Sequence, residues 1–204
     1  MQSYFHSLHG ILWPPNGKIS PESSVQATRQ VHSTSPLDKY GTLDGMLSPS
    51  PVLQLQKSLQ ISADVTEKTD SHWNIRSFRG PQDIDVWLEV QNSAFRAQRP
   101  IPWTASHFRR ELADRPWWSA QRLWFAESAT GRVVGSLALE LDAEHGRMHW
   151  LAVLSSAQRR GVARCLLQTA ERHCRQHGAF VLKAETAADS IAEQFYRRHG
   201  FKNG

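Results

Sequence analysis

At 204 residues the chain is long enough for one domain of ordinary size plus an appendage. Twenty-four Lys and Arg against nineteen Asp and Glu give a net charge of +5, and no apolar run approaches the length that crosses a bilayer. The two cysteines, Cys165 and Cys174, lie nine residues apart in one predicted helix, which excludes a disulfide between them and a zinc-type spacing.

Residues 1–72 differ from the rest. They hold six of the ten prolines, twelve serines and one of the eight tryptophans, and their charge is −1. Such a segment buries too little apolar surface to offset its ordering entropy, so it is expected to be a disordered extension. Within it, Val52-Leu53-Gln54-Leu55-Gln56 alternates and suits a short strand or a helix turn. The start, MQSYFHSLHGILW, lacks a basic region and a long apolar core, so no signal peptide is expected.

The domain is expected at residues 73–204, which carry +6. Trp73 to Phe78 alternates as a first strand, and Pro81 suits the first turn of a helix over Asp83–Phe95. Pro100 and Pro102 interrupt; Thr104 caps a second helix through Leu112, which Pro116-Trp117-Trp118 ends. Strands follow at 122–127, 133–141 and 147–154, then a helix from Val162, a strand at 179–184 and a helix at 190–199 stopped by Gly200. The order β-α-α-β-β-β-α-β-α implies a mixed α/β sheet flanked by helices.

The centre of the sequence is Trp150-Leu151-Ala152-Val153-Leu154, a Ser-Ser-Ala connection, then Gln158-Arg159-Arg160-Gly161-Val162-Ala163-Arg164 and an amphipathic helix. A strand, a basic glycine turn and a helix start make an anion site. The first N–H groups of a helix lack internal partners, the helix dipole adds partial positive charge, and Gly161 lets an anion approach the backbone. Neither GxxxxGK[ST] nor GxGxxG is present, so a nucleoside triphosphate or NAD is not indicated.

LAVLSSAQRRGVARCLL resembles the [Q/R]xxGx[G/A] acetyl-CoA signature of the GNAT N-acetyltransferase superfamily, and DSIAEQFYRRHGF resembles its second signature. The resemblance covers about residues 73–204. It implies a sheet splayed between its fourth and fifth strands, with acetyl-CoA as acyl donor and a primary amine, on a small molecule or a protein, as acceptor. It assigns the pantetheine to the backbone of Leu151, Ala152 and Val153. It assigns the pyrophosphate to Gln158, Arg159, Arg160, Gly161, Val162, Ala163 and Arg164, with Asp189 near the cofactor where the family has Asn.

Tyr196 matches the family's acid for the CoA thiolate. His149 matches the proton-relay histidine of arylalkylamine acetyltransferases and is expected to share a strand face with Arg147 and Leu151. Arg147 stands where several members carry a catalytic Glu; Glu140 and Glu185 are further candidates. No metal is implied.

The family normally continues into two more strands after Gly200, and this sequence stops at Gly204. The C-terminal strand hairpin is therefore expected to be missing and the acceptor side open. A second copy of the chain, or the arm before Trp73, is then the candidate wall, with a passive arm slightly preferred. A CoA-binding module without turnover is the alternative function. A nucleic-acid-binding surface of Arg159, Arg160, Arg164, Arg172 and Arg175 has little aromatic interleaving and is disfavoured. A membrane partner is not expected, and the compartment expected for two reduced, buried thiols is the cytoplasm.

Overall fold

A computed structural model describes residues 50–59 and 73–204. Seven strands form one sheet: β1 (Val52–Ser58), β2 (Asn74–Ser77), β3 (Leu123–Glu127), β4 (Val133–Leu141), β5 (His145–Val153), β6 (Val181–Ala187) and β7 (Lys202–Asn203). Their spatial order is β2-β3-β4-β5-β6-β1-β7. Helices α1 (Gln82–Ala94), α2 (Ala105–Phe108), α3 (Val162–Gln176) and α4 (Ile191–Arg198) flank it, and a five-residue π-turn, Arg109–Ala113, continues α2. The predicted order of elements holds from β2 to α4.

Alternation along the strands divides the core by face. Trp124, Ala126, Leu137, Leu139 and Met148 join an aliphatic cluster with Leu166, Leu167, Ala170 and Cys174 of α3. Leu123, Phe125 and Ala138 point the other way, to an aromatic cluster with Trp87 of α1, Trp103, Phe108 and Trp150. Helix α3 lies close on the sheet: a Cβ on Gly135 would sit 2.9 Å from Val162 Cγ1, and one on Gly146 would collide with Cys174 Sγ. Both cysteines are free and buried, and burial pushes the Cys174 thiol up to about 12.

Every strand pair is antiparallel except β5 with β6. That parallel pairing covers only His145–Arg147 against Val181–Lys183. Beyond it the two strands part, so β5 from Met148 onward has no β6 partner, and its Leu151–Val153 stretch is left to the cavity described below.

Residues 52–58, expected within the extension, are a full strand of the sheet. β1 pairs with β6 along its whole length, Val52 opposite Ala187 to Ser58 opposite Val181, and holds β7 on its other edge at Leu55–Asn203 and Gln56–Lys202. Leu55 and Leu59 are fully buried, and Lys57 Nζ reaches Glu171 Oε1 of α3 at 2.6 Å. The edge expected to be open after β6 is thus covered by this arm, and the reading of Val52–Gln56 as part of a passive tail is corrected. Two buried leucines and seven backbone pairings provide an anchor that composition does not reveal. The remainder of the expected extension, 1–49 and 60–72, lies outside the described residues.

Candidate acetyl-CoA and acceptor site

Strand β5 carries a bulge. Ala138 pairs with His149 and Ser136 with Ala152, so Trp150 and Leu151 together face a single residue of β4. Trp150 has φ 57°, a left-handed conformation that costs a bulky residue energy and is held by its surroundings. Gln91 of α1, fully buried, donates from Nε2 to the Trp150 carbonyl at 2.8 Å. The bulge breaks the alternation. His149 and Trp150 both lie on the aromatic side, where His149 stacks on Trp117 and Trp150 meets Trp103 edge-on, while Leu151 and Ala152 join the aliphatic cluster. The expectation that His149 and Leu151 share a face is therefore corrected; the inserted residue turns Leu151 over.

A cavity of about 540 Å³ opens where β5 leaves β6. Leu151, Ala152 and Val153 line it on the strand side; Gln158, Arg159, Gly161, Val162, Ala163 and Arg164 form its loop and helix wall. The backbone N–H groups from Arg159 to Arg164 donate no backbone hydrogen bond among the described residues; Cys165 N–H, to Gly161 O at 3.0 Å, is the first that does. Gly161 caps α3 at φ 83° and Arg159 has φ 61°, so the loop turns these N–H groups outward through two left-handed residues. A Cβ on Gly161 would meet nothing within 4 Å, so its glycine is required by conformation rather than by crowding in the free protein. Gln158 Nε2 ties the loop to Val153 O at 3.1 Å.

Two predicted cofactor residues do not line the cavity. Arg160 lays its guanidinium over Trp73, 5.5 Å from the ring centroid, and its carbonyl accepts from Trp73 Nε1. Asp189 lies before α4, where its N–H donates to Glu193 Oε2 at 2.7 Å. Sequence reasoning missed Phe95 and Gln98, which follow α1, and Phe195, Arg198 and His199 at the end of α4, all of which line the cavity. Spacing of three and four along α4 places Phe195, Arg198 and His199 on one face, a signal the sequence does contain.

Tyr196 is fully buried on α4, its ring 5.1 Å from Phe201, and its hydroxyl has no hydrogen-bond partner among the described residues. Burial raises its pKa well above the ordinary phenol value, so it stays protonated. His149 is 4 % exposed, stacked on Trp117 at 4.8 Å, with Nε2 2.9 Å from Glu140 Oε2. Burial lowers the His149 pKa despite Glu140, while the bond to His149 lowers that of Glu140. Arg147 links this pair to β6, with Nη1 3.3 Å from Glu185 Oε1, and burial raises the Glu185 pKa. No cluster of three or more His, Cys, Asp or Glu among the described residues is arranged to hold a metal ion.

The acetyltransferase (GNAT) family model matches residues 86–201. The chain belongs to this family. It is 29 % identical over 147 residues to a mycothiol acetyltransferase of Thermomonospora curvata, covering 71 % of this chain and 48 % of that protein. It is also 29 % identical over 138 residues to a mycothiol acetyltransferase of Pseudarthrobacter chlorophenolicus, covering 63 % of this chain and 42 % of the relative. The chain thus spans about half the length of these curated relatives. A GCN5-related N-acetyltransferase from Sphaerobacter thermophilus shares the fold, with TM-score 0.62 and 19 % identity over 77 % of this chain and 50 % of that one. No helix among the described residues is long and apolar enough to cross a membrane.

Proposed function

We propose that the protein transfers the acetyl group of acetyl-CoA to a primary amine of a small molecule or a protein. The observation that carries this reading is the run of unbonded N–H groups around Gly161, at one wall of a cavity whose other wall is the parted edge of β5. Those donors suit the diphosphate, and the strand edge suits the amides of a pantetheine arm.

In the reaction the amine nitrogen attacks the thioester carbonyl carbon; a C–N bond forms and the C–S bond breaks. His149, held by Glu140, takes the proton from the amine, and its depressed pKa keeps it neutral and receptive at pH 7. Tyr196, whose hydroxyl has no partner in the fold, gives its proton to the leaving thiolate. The catalytic unit in this reading is 73–204 completed by the strand Val52–Ser58, acting in the cytoplasm, where its two free thiols stay reduced.

Acetyl-CoA turnover against a panel of amines, beside melting with and without CoA, tests the proposal. Gly161→Val forces a β-branched residue into φ 83° and should abolish CoA stabilisation while costing the free protein about 1–3 kcal/mol. An equal CoA-induced shift in both proteins removes the anion loop from the reading. CoA binding without acetyl transfer to any amine supports a binding module instead.

A further inference from the structure

Arg99 follows α1, one residue from Gln98 of the cavity wall, and is only 7 % exposed. A charge so placed normally has a carboxylate beside it, because removing an ion from water costs several kcal/mol. No Asp or Glu oxygen among the described residues lies within 4.0 Å of it. Glu111 is the acid whose field reaches it, but that carboxylate is bound by Arg110 at 2.8 Å and Arg115 at 3.3 Å. The side-chain bond Arg99 does make is long, Nη2 to Gln91 Oε1 at 3.5 Å, and Nη1 is buried with no partner.

The surroundings hold a cation without satisfying its donors. The guanidinium lies 3.7 Å from the Trp103 ring centroid, 4.4 Å from that of Phe95 and 5.8 Å from that of Trp150. Aromatic faces stabilise the charge but accept no strong hydrogen bond. Burial brings its pKa down to about 10, so it remains charged at neutral pH. Its position follows from two neighbours. Phe95 lines the cavity, and Gln91 holds the Trp150 carbonyl at the bulge of β5. Arg99 therefore stands behind Phe95 and Gln98 of the cavity wall and beside Gln91, which holds the bulge of β5, on the aromatic side. The phosphate-type donors lie elsewhere, at the start of α3.

We propose that Arg99 recognises a carboxylate on the acceptor, so that the substrate class is an amine that also bears a carboxylate, as in an amino acid. A planar guanidinium with a free nitrogen matches the two oxygens of a carboxylate. The inference rests on the acetyltransferase reading, because it assigns the ligand of Arg99 to the acceptor of that reaction.

The test pairs N-acetyl amino acids with their amides, as product probes, and reads the melting temperature of the CoA-loaded protein. The wild type should be stabilised by the acids and not by the amides, and Arg99→Met should lose this discrimination. In turnover, the kcat/KM ratio of an amino acid over its amide should fall roughly ten- to a hundredfold in the variant, with KM for acetyl-CoA unchanged. Arg99→Lys keeps the charge without the fork, and should lose most of the discrimination in a folded protein if the Met variant does not fold. Equal shifts by acid and amide in the wild type, or a preference that survives Arg99→Met, overturn the proposal. A carboxylate-specific shift lost in the variant, with no turnover of any amine, retains the Arg99 site and sinks the acetyltransferase reading.

Discussion

The two faces of the sheet are built by different rules. Under α3 and α4 the core is largely aliphatic, and its helices present regular stripes: Val162, Leu166, Ala170 and Cys174 recur on one side of α3, all buried. Under α1 and α2 the core is aromatic. There Trp87 meets Trp103, Phe108 and Trp150 through stacked and edge contacts, and the chain between α1 and β3 is irregular. In the proposed reaction the first face would position backbone groups for an acyl donor whose chemistry is fixed, and the second would present side chains, Arg99 and His149 among them, whose identities set what can be bound.

The largest expected effect falls on the strand that closes the aliphatic face. Leu55→Ala removes a fully buried side chain from β1 and should cost about 2–5 kcal/mol of stability by denaturant titration. Native-state tryptophan fluorescence should stay largely as in the wild type, because Trp87, Trp103, Trp117, Trp118 and Trp150 lie with the other cluster, and any change should come from Trp73 and Trp124 of the aliphatic one. A loss below about 1 kcal/mol would mean that β1 adds little to the core beyond its backbone pairing.

Tyr196→Phe sharpens the contrast, since it alters one oxygen within the aliphatic face. The hydroxyl is buried and unpartnered, so its removal should leave stability unchanged or raise it by up to about 1 kcal/mol. Turnover should fall roughly a hundredfold, or about 2.7 kcal/mol in the transition state, with CoA binding retained. Unchanged turnover where chemistry is rate-limiting returns Tyr196 to packing alone.

What the sequence carried follows the same division. The strand–loop–helix from β5 to α3 was legible because helix periodicity and a glycine turn are local signals. The alternation of Val52–Gln56 was legible too, but the place of β1 in the sheet was not, because Val52–Ser58 has one fully buried strand residue, Leu55, and its stability comes from pairing with residues more than a hundred positions away. The bulge was not, because nothing local marks Trp150 for φ 57°; Gln91 and Trp103, brought there by folding, hold it. Arg99 lies between helices in a segment with two prolines, where no local periodicity marks it for burial, and only the tertiary structure buries it.

The smallest effect concerns two histidines on opposite faces, His173 half-buried and His149 buried. His173 of α3 packs edge-on to Trp124 at 5.3 Å and 4.1 Å from the His177 ring; burial, then His177 and Arg122, lower its pKa to about 4. His149 on the aromatic face is lowered too, but Glu140 beside it opposes the burial. An unfolded histidine titrates near 6.5. Between about 6.5 and 4, then, the unfolded chain binds a proton at residue 173 that the native chain refuses. Stability must rise with pH across that window and fall as the solution is acidified. Above 6.5 neither state is protonated there and the contribution vanishes. Denaturant titrations at pH 7 and pH 5 should therefore show a drop in the wild type that is smaller in His173→Gln. An identical drop in both proteins would move the acid sensitivity to the aromatic face, where His149→Gln should then reduce it.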